Sequence, residues 1–357
     1  MPDATPGTAP GPSARDTSGD TILDVRGLTV DFPSGDGILQ AVRGVDFSLR
    51  RGECLGIVGE SGSGKSVSAL AALGLLGKDA RVGGRVLLKR KDMLGLGPEQ
   101  LRALRGTEAS MIFQEPSRSF DPIYSIGKTF QETLRVRNPE LSVAECRRRA
   151  VQLLSEVHIP HAEERLKGFP HQFSGGMLQR IMIALALAND PELLIADEPT
   201  TALDVTIQAE IIGLLEELKS RRHLSLVFIS HNLALVGQIA DQVLVMYAGL
   251  VLEAGPSSTV LSQPRSPYSR ALLDTLPAWG THYTREKLAT IPGSVPQPTH
   301  HEPGCPFAPR CPLVEERCRR AIPPLVHDED GRQLPVPAAD DTIRTSAYRC
   351  VFAGVKS

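Results

Sequence analysis

The chain has 357 residues, 39 Lys and Arg against 41 Asp and Glu, a formal net charge of −2 and 41% hydrophobic residues. That composition is globular and too long for one ordinary domain, so a main domain with an extension is expected. The near-neutral balance excludes a global electrostatic pull toward nucleic acid or anionic lipid. No apolar run approaches the roughly 20 residues that span a bilayer.

Residues 1–20 are rich in Pro, Gly, Ala, Ser and Thr and lack the apolar core of a signal peptide, so a disordered N-terminal tail is expected. Residues 21–30 are β-prone, residues 45–49 alternate apolar and polar, and residues 53–58 form a short apolar run that reaches a glycine. Residues 65–76 then read as a helix. Between strand and helix lie Gly59, Glu60, Ser61, Gly62, Ser63, Gly64, Lys65 and Ser66, a complete phosphate-loop pattern. The glycines let backbone N–H groups turn inward onto phosphate oxygens, and the helix presents its positive end. In this pattern Lys65 reaches the β- and γ-phosphates of ATP, and the Ser66 hydroxyl ligates Mg²⁺.

From about residue 112 to 170 the pattern turns helical, with a capping box at Ser142 and Glu145 and an apolar face of Leu153, Leu154 and Val157. Ser174, Gly175 and Gly176 open a further helix; a hydroxyl, free N–H groups and a helix dipole make a second anion site, although a Ser N-cap followed by glycines is common in itself. An α/β stretch follows: a strand over 193–197 ending in Asp197 and Glu198, a helix over 208–222 and a strand over 226–230. Asp197 at the carboxyl edge of a sheet suits Mg²⁺, and Glu198 beside it can polarise an attacking water. Runs at 242–247 and 250–253 flank Ala248 and Gly249 as a closing hairpin. Strands alternating with helices imply an α/β fold with a largely parallel sheet.

This motif set resembles the ABC ATPase family over about residues 22–260. The resemblance implies a P-loop ATPase core over 21–260 with a helical signature subdomain at about 115–185. It implies that Ser174, Gly175 and Gly176 contact the γ-phosphate held by an opposite subunit, so that two sites form between two ATPase domains. Met177 stands where the family usually has Gln, as is common in its peptide-permease branch. Gln114 matches the loop glutamine that senses Mg²⁺ and links to the permease. Ala202, Leu203 and Asp204 match the loop that crosses the dimer interface, and His231 matches the switch histidine near the γ-phosphate. Phe32 lies where the family has an aromatic that stacks on adenine; a core Phe is the competing reading.

After about residue 260 the chain is rich in Pro, Arg and Cys. The segments Ser266-Pro267-Tyr268-Ser269-Arg270, Ile291-Pro292-Gly293 and Gly304-Cys305-Pro306-Phe307-Ala308-Pro309-Arg310-Cys311 resemble the oligopeptide, dipeptide and nickel permease ATPases, of the D type. That resemblance implies ATP-driven import of peptides, with nickel chelates or oligosaccharides as alternative cargo and a regulatory, non-transport ABC protein as a rival reading. It implies a heterodimer with a second, related ATPase, two integral-membrane permease subunits, an extracytoplasmic solute-binding protein and no nucleic-acid partner. The chain would then sit at the cytoplasmic face of the membrane, held by the permease.

The region 261–357 carries Cys305, Cys311, Cys318 and Cys350 in a short unit with few apolar residues. Thiolates favour zinc or iron–sulfur clusters. The wide spacing departs from the usual zinc pairs and from ferredoxin patterns alike. The family resemblance supports a [4Fe–4S] cluster, with zinc, or thiols that are free or paired in disulfides, as the alternatives. His300 and His301 are further donors, more in keeping with solvated side chains. Replacing any of these cysteines is expected to loosen the extension and leave nucleotide binding nearly intact, because the phosphate loop and the Asp197 strand belong to the other domain.

Overall fold

A computed structural model describes residues 20–35, 37–201, 203–276, 290–296, 303–327 and 346–351. The expected tail over 1–19, Ala202, His300 and His301 lie outside the described residues. The chain opens with two long strands, β1 (Thr21–Ser34) and β2 (Gly37–Arg50), followed by β3 (Cys54–Val58), α1 (Lys65–Ala72), β4 (Arg81–Leu88), β5 (Lys91–Asp92), α2 (Pro98–Leu104) and β6 (Ala109–Ile112). A helical stretch follows: α3 (Pro116–Ser119), α4 (Ile126–Arg137), α5 (Val143–Glu156), α6 (Ala162–Arg165) and α7 (Gly175–Ala186). The chain returns to alternation with β7 (Leu193–Asp197), α8 (Val205–Arg222), β8 (Ser225–Ser230), α9 (Leu233–Ile239), β9 (Gln242–Tyr247) and β10 (Leu250–Pro256). The remaining elements are α10 (Ser257–Ser262), α11 (Pro267–Asp274), α12 (Glu316–Arg320), β11 (Val326–His327) and β12 (Ala347–Tyr348).

The strands form two sheets. One is antiparallel, in the order β2-β1-β4-β5; the other runs β11-β12-β10-β9-β3-β8-β7-β6. In the second, β9, β3, β8, β7 and β6 are parallel. Its central strands are buried on both faces, which is why they read as unbroken apolar runs. Their alternation divides two cores: Leu194, Ala196, Leu226 and Phe228 pack toward the helical region. Leu193, Ile195, Val227 and Ile229 pack toward α1 and the antiparallel sheet. The sequence does not announce that separate antiparallel sheet, because β1 and β2 are interrupted by register shifts that break their alternation.

Two helix limits differ from the sequence reading. α1 stops at Ala72 because Gly74 adopts φ +62°. The Leu75 N–H then donates to the Leu70 carbonyl at 2.8 Å, a left-handed glycine cap. α8 begins at Val205, since only the preceding Asp204 leaves the helical region. The expected capping box forms: the Glu145 N–H donates to Ser142 Oγ at 3.3 Å, and the Ser142 N–H to Glu145 Oε2 at 2.9 Å. Such a cap is worth about 1 kcal/mol.

The described parts after residue 260 do not stand as a unit with a separate core. Tyr268, Leu272 and Phe307 belong to the same apolar cluster as the helical region and the main sheet, and β12 pairs with β10. The apolar residues there are few but large, and they pack onto the main core.

Candidate nucleotide site

The parallel strands end on one edge of the sheet, and four of them deliver polar groups at or just beyond their last residues. β3 leads into the phosphate loop, β7 into Asp197 and Glu198, β8 into His231, and β6 reaches Gln114 two residues on. Because β8 lies between β3 and β7, His231 falls between the loop and the two acids. Ligands of open α/β sheets bind at this carboxyl edge.

The loop is shaped by glycine. A Cβ on Gly59 would lie 2.1 Å from the Met246 carbonyl oxygen, and one on Gly64, at φ +97°, 2.6 Å from that of Ala41. Ser63 and Lys65 are buried, whereas Ser61 and Gly62 face solvent. Lys65 Nζ donates to the carbonyls of Gly59 at 2.7 Å and Glu60 at 2.9 Å, with Ser63 Oγ at 3.4 Å. Burial lowers the Lys65 pKa, against the pull of Glu198, Asp197 and Glu60. The ammonium therefore sits poorly hydrated, held by acceptor oxygens of the loop, and its positive charge favours an incoming polyanion.

Ser66 Oγ donates to Asp197 Oδ1 at 2.8 Å. Burial raises the pKa of Asp197. A buried carboxylate and a hydroxyl side by side are hard oxygen donors and suit Mg²⁺, which favours one or two protein ligands beside the phosphates. Glu198 is 8% exposed and adopts φ +46°. One of its oxygens, Oε2, accepts from Thr201 Oγ1 at 2.8 Å and Gln114 Nε2 at 3.1 Å, and pairs with His231 Nδ1 at 3.2 Å. His231 is the main cause of a lowered Glu198 pKa, and Glu198 in turn raises that of His231. The carboxylate is thus held ionised and oriented. Thr201, three residues after Glu198, escapes the sequence reading; a Thr in a loop carries no signal until its partner is known.

Ser174 caps α7, its Oγ accepting the Met177 N–H at 3.3 Å, with Gly175 and Gly176 in the first turn. These residues line an open cleft of about 860 Å³ with Leu203, Asp204 and Ile207. None of residues 59–66 lines it. Within the chain the Ser174 group and the phosphate loop therefore belong to different surfaces. Phe32, opposite Leu39 on β2, packs partly buried against the core that includes Ala69 and Ala71.

Cys305, Cys311 and Cys318, together with Cys350 from farther along the chain, line one small pocket with Phe307 and Arg349. Burial is the first cause that pushes the Cys305 thiol up to about 11. Among the described residues no cysteine is in a disulfide, and no three His, Cys, Asp or Glu side chains are grouped closely enough to hold a single metal ion.

A phosphate loop, a strand-end Asp–Glu pair, a histidine on the intervening strand and a separate Ser-Gly-Gly helix start define a P-loop ATPase of the ABC type. Comparisons with known proteins agree. The family model described as ABC transporter matches residues 42–201, and that described as oligopeptide/dipeptide transporter, C-terminal region, matches residues 252–318. The oligopeptide transport ATP-binding protein OppD of Escherichia coli is 46% identical over 313 residues, covering 88% of this chain and 92% of that protein. The dipeptide transport ATP-binding protein DppD of the same organism is 45% identical over 313 residues, covering 87% and 95%. Among solved structures, the dimeric post-hydrolysis state of the ATP-binding cassette MJ0796 bound to ADP and Pi is similar with a TM-score of 0.59 at 25% identity. It covers 66% of this chain and 98% of that one. The chain belongs to the ATP-binding subunits of ABC transporters, in the oligopeptide/dipeptide branch, and is an ATPase.

Proposed function

We propose that this chain binds and hydrolyses ATP to power a peptide importer. The observation that carries the chemistry is the Glu198 carboxylate, ionised and fixed by Thr201, Gln114 and His231 at the same sheet edge as Lys65 and Ser66. The loop N–H groups and Lys65 bind the triphosphate. Ser66 and Asp197, with Gln114 beside them, would hold Mg²⁺, which supplies charge neutralisation between the β- and γ-phosphates. Glu198 accepts a proton from the attacking water, and His231 keeps that carboxylate in place. Stacking of adenine on Phe32 belongs to the same reading.

The Ser174, Gly175 and Gly176 turn has no nucleotide loop of its own chain in its cleft, which favours a head-to-tail dimer in which Asp204 faces the partner. The 45–46% identity to oligopeptide and dipeptide transport subunits supports a second, related ATPase as that partner, with two permease subunits and an extracytoplasmic binding protein. No described helix is long and apolar enough to cross a membrane, in keeping with a peripheral subunit at the cytoplasmic face. The division into an ATPase domain over 21–260, its helical part at about 115–185 and an extension over 261–357 is part of this proposal. In that extension Cys305, Cys311, Cys318 and Cys350 would hold a [4Fe–4S] cluster. A single zinc ion needs its sulfurs at about 2.3 Å from one point, and the described residues offer no such grouping. The pocket that the four cysteines line is itself small, about 20 Å³, so the cluster reading rests on the family resemblance alone.

The test is reconstitution with the neighbouring ATPase and permease in vesicles. Peptide uptake that requires ATP, and stops with Glu198→Gln in this chain, is the expected result. Uptake of nickel chelates or oligosaccharides in place of peptides would reassign the cargo, and ATP-dependent closure without uptake would favour a regulatory protein. Protein purified without oxygen is expected to be brown; colourless protein with stoichiometric zinc, or with no metal, would remove the cluster.

A further inference from the structure

The residue that ties the C-terminal extension to the nucleotide site is Arg310. It lies on a short turn, Ala308–Arg310, bracketed by Cys305 and Cys311. Its side chain is only 3% exposed and forms a two-pronged ion pair with Glu60, Nη1 to Oε2 at 2.7 Å and Nη2 to Oε1 at 3.0 Å. The remaining donors are used as well: Nη1 reaches Tyr247 Oη at 3.2 Å, Nε the Pro292 carbonyl at 2.8 Å and Nη2 the Ile291 carbonyl at 3.1 Å. A buried guanidinium with its fork filled by one carboxylate fixes that carboxylate in direction as well as in place.

Glu60 is the second residue of the phosphate loop, and it is held on three sides. Its carboxylate is in the Arg310 fork. Its N–H donates to Tyr268 Oη at 2.9 Å, and its carbonyl accepts from Lys65 Nζ at 2.9 Å. Tyr268 is fully buried in a three-ring cluster with Tyr247 and Phe307, with centroids 4.6 to 5.5 Å apart. The extension therefore grips the residue whose carbonyl helps to place the Lys65 ammonium. The expectation that the extension and nucleotide binding are independent loses its basis, because it rests on placing the two in separate domains.

We propose that Arg310, with Tyr268, is a positioning residue for the phosphate loop: it sets Glu60, and through Glu60 the Lys65 ammonium, so that ATP affinity depends on the extension being seated. The proposal rests on the reading that ATP binds at residues 59–66. It makes the turn between Cys305 and Cys311 part of the nucleotide site, although no atom of that turn need touch the nucleotide.

The test is MgATP binding to the purified full chain by calorimetry. The variants are Arg310→Met, Arg310→Lys, Glu60→Gln and the Arg310→Met/Glu60→Gln pair, with Lys65→Ala as reference. Arg310→Met is expected to weaken ATP binding on the order of tenfold, about 1.4 kcal/mol. Arg310→Lys, which keeps the charge and loses the fork, should recover part of this. The double variant should bind no more weakly than the weaker single, because both remove one link. Should Arg310→Met fold poorly, Tyr268→Phe removes a single hydroxyl and is expected to weaken binding by a smaller factor in a chain that still folds. Wild-type affinity in Arg310→Met together with a lowered melting temperature, or additive losses in the double variant, would overturn the proposal while Lys65→Ala still marked the ATP site. A wild-type chain that bound no ATP would overturn the underlying reading, and the proposal with it.

Discussion

The two halves of the nucleotide machinery are built in opposite ways. Around the phosphate loop, Ser63, Lys65, Asp197 and Glu198 are 0 to 8% exposed and each makes hydrogen bonds within the chain. Around Ser174 the surface is open: Asp204 is exposed and its side chain does not cap α8, and Val205 beside it is 81% exposed. A buried, mutually bonded set of groups can be preorganised by one chain. An exposed helix start with unused donors awaits a ligand or a partner. On the proposed head-to-tail reading, the contrast marks where a partner would complete the site.

The largest effect expected from breaking the buried half is on chemistry. Glu198→Gln keeps the geometry but loses the proton acceptor, and steady-state turnover should fall by about 10²–10⁴-fold, with ATP still bound in a closed dimer. Single-turnover hydrolysis at the wild-type rate would remove Glu198 from that role. Lys65→Ala should act on binding instead. Losing a hydrogen bond to a charged group costs about 1.5–3 kcal/mol, so titration should show the ATP dissociation constant rising about ten- to hundredfold. Gly64→Ala should strain the loop itself, since φ +97° disfavours a side chain and the Ala41 carbonyl stands 2.6 Å from the new Cβ. A loss of about 1–3 kcal/mol is expected, read as a lower denaturation midpoint.

A smaller effect concerns the pair Glu198 and His231. The His231 pKa is raised by the neighbouring carboxylate, so its contribution to stability is present below the ordinary histidine range and is lost as pH rises through the raised value. The Glu198 pKa is lowered, so its contribution is present above the ordinary carboxylate range and is lost as pH falls through the lowered value. The pair is therefore strongest at mildly acidic pH, between those two ranges. His231 is 58% exposed, so solvent screens the pair and the gain is small. By NMR, His231 should titrate above an ordinary histidine, and its midpoint should fall in Glu198→Gln. An unchanged midpoint would show that the two do not interact in solution.

Much of the buried half was legible in the sequence because its chemistry is local. Eight consecutive residues make the loop, and Asp197 and Glu198 end an apolar run. His231 is placed in the sequence only by the family resemblance; the strand order, with β8 between β3 and β7, is what sets it at the same edge. What sequence could not read was contact between distant segments. Glu60 to Arg310 spans 250 residues, and neither residue lies in a periodic pattern that announces a partner. The same holds for Tyr268, whose hydroxyl turned out to meet a loop N–H. The antiparallel sheet is hidden by its register shifts, and the extension reads as core-poor because a count of apolar residues ignores the surface they cover.

The division between a self-sufficient half and a partner-dependent half is tested most directly by Ser174→Ala in this chain alone, assembled with a wild-type partner ATPase. Nucleotide trapped during turnover by vanadate, as a photoreactive ATP analogue, reports which phosphate loop hydrolysed it. Labelling should be lost chiefly from the partner's phosphate loop and kept at this chain's Lys65. Loss confined to the ATP bound at Lys65 would contradict the head-to-tail arrangement.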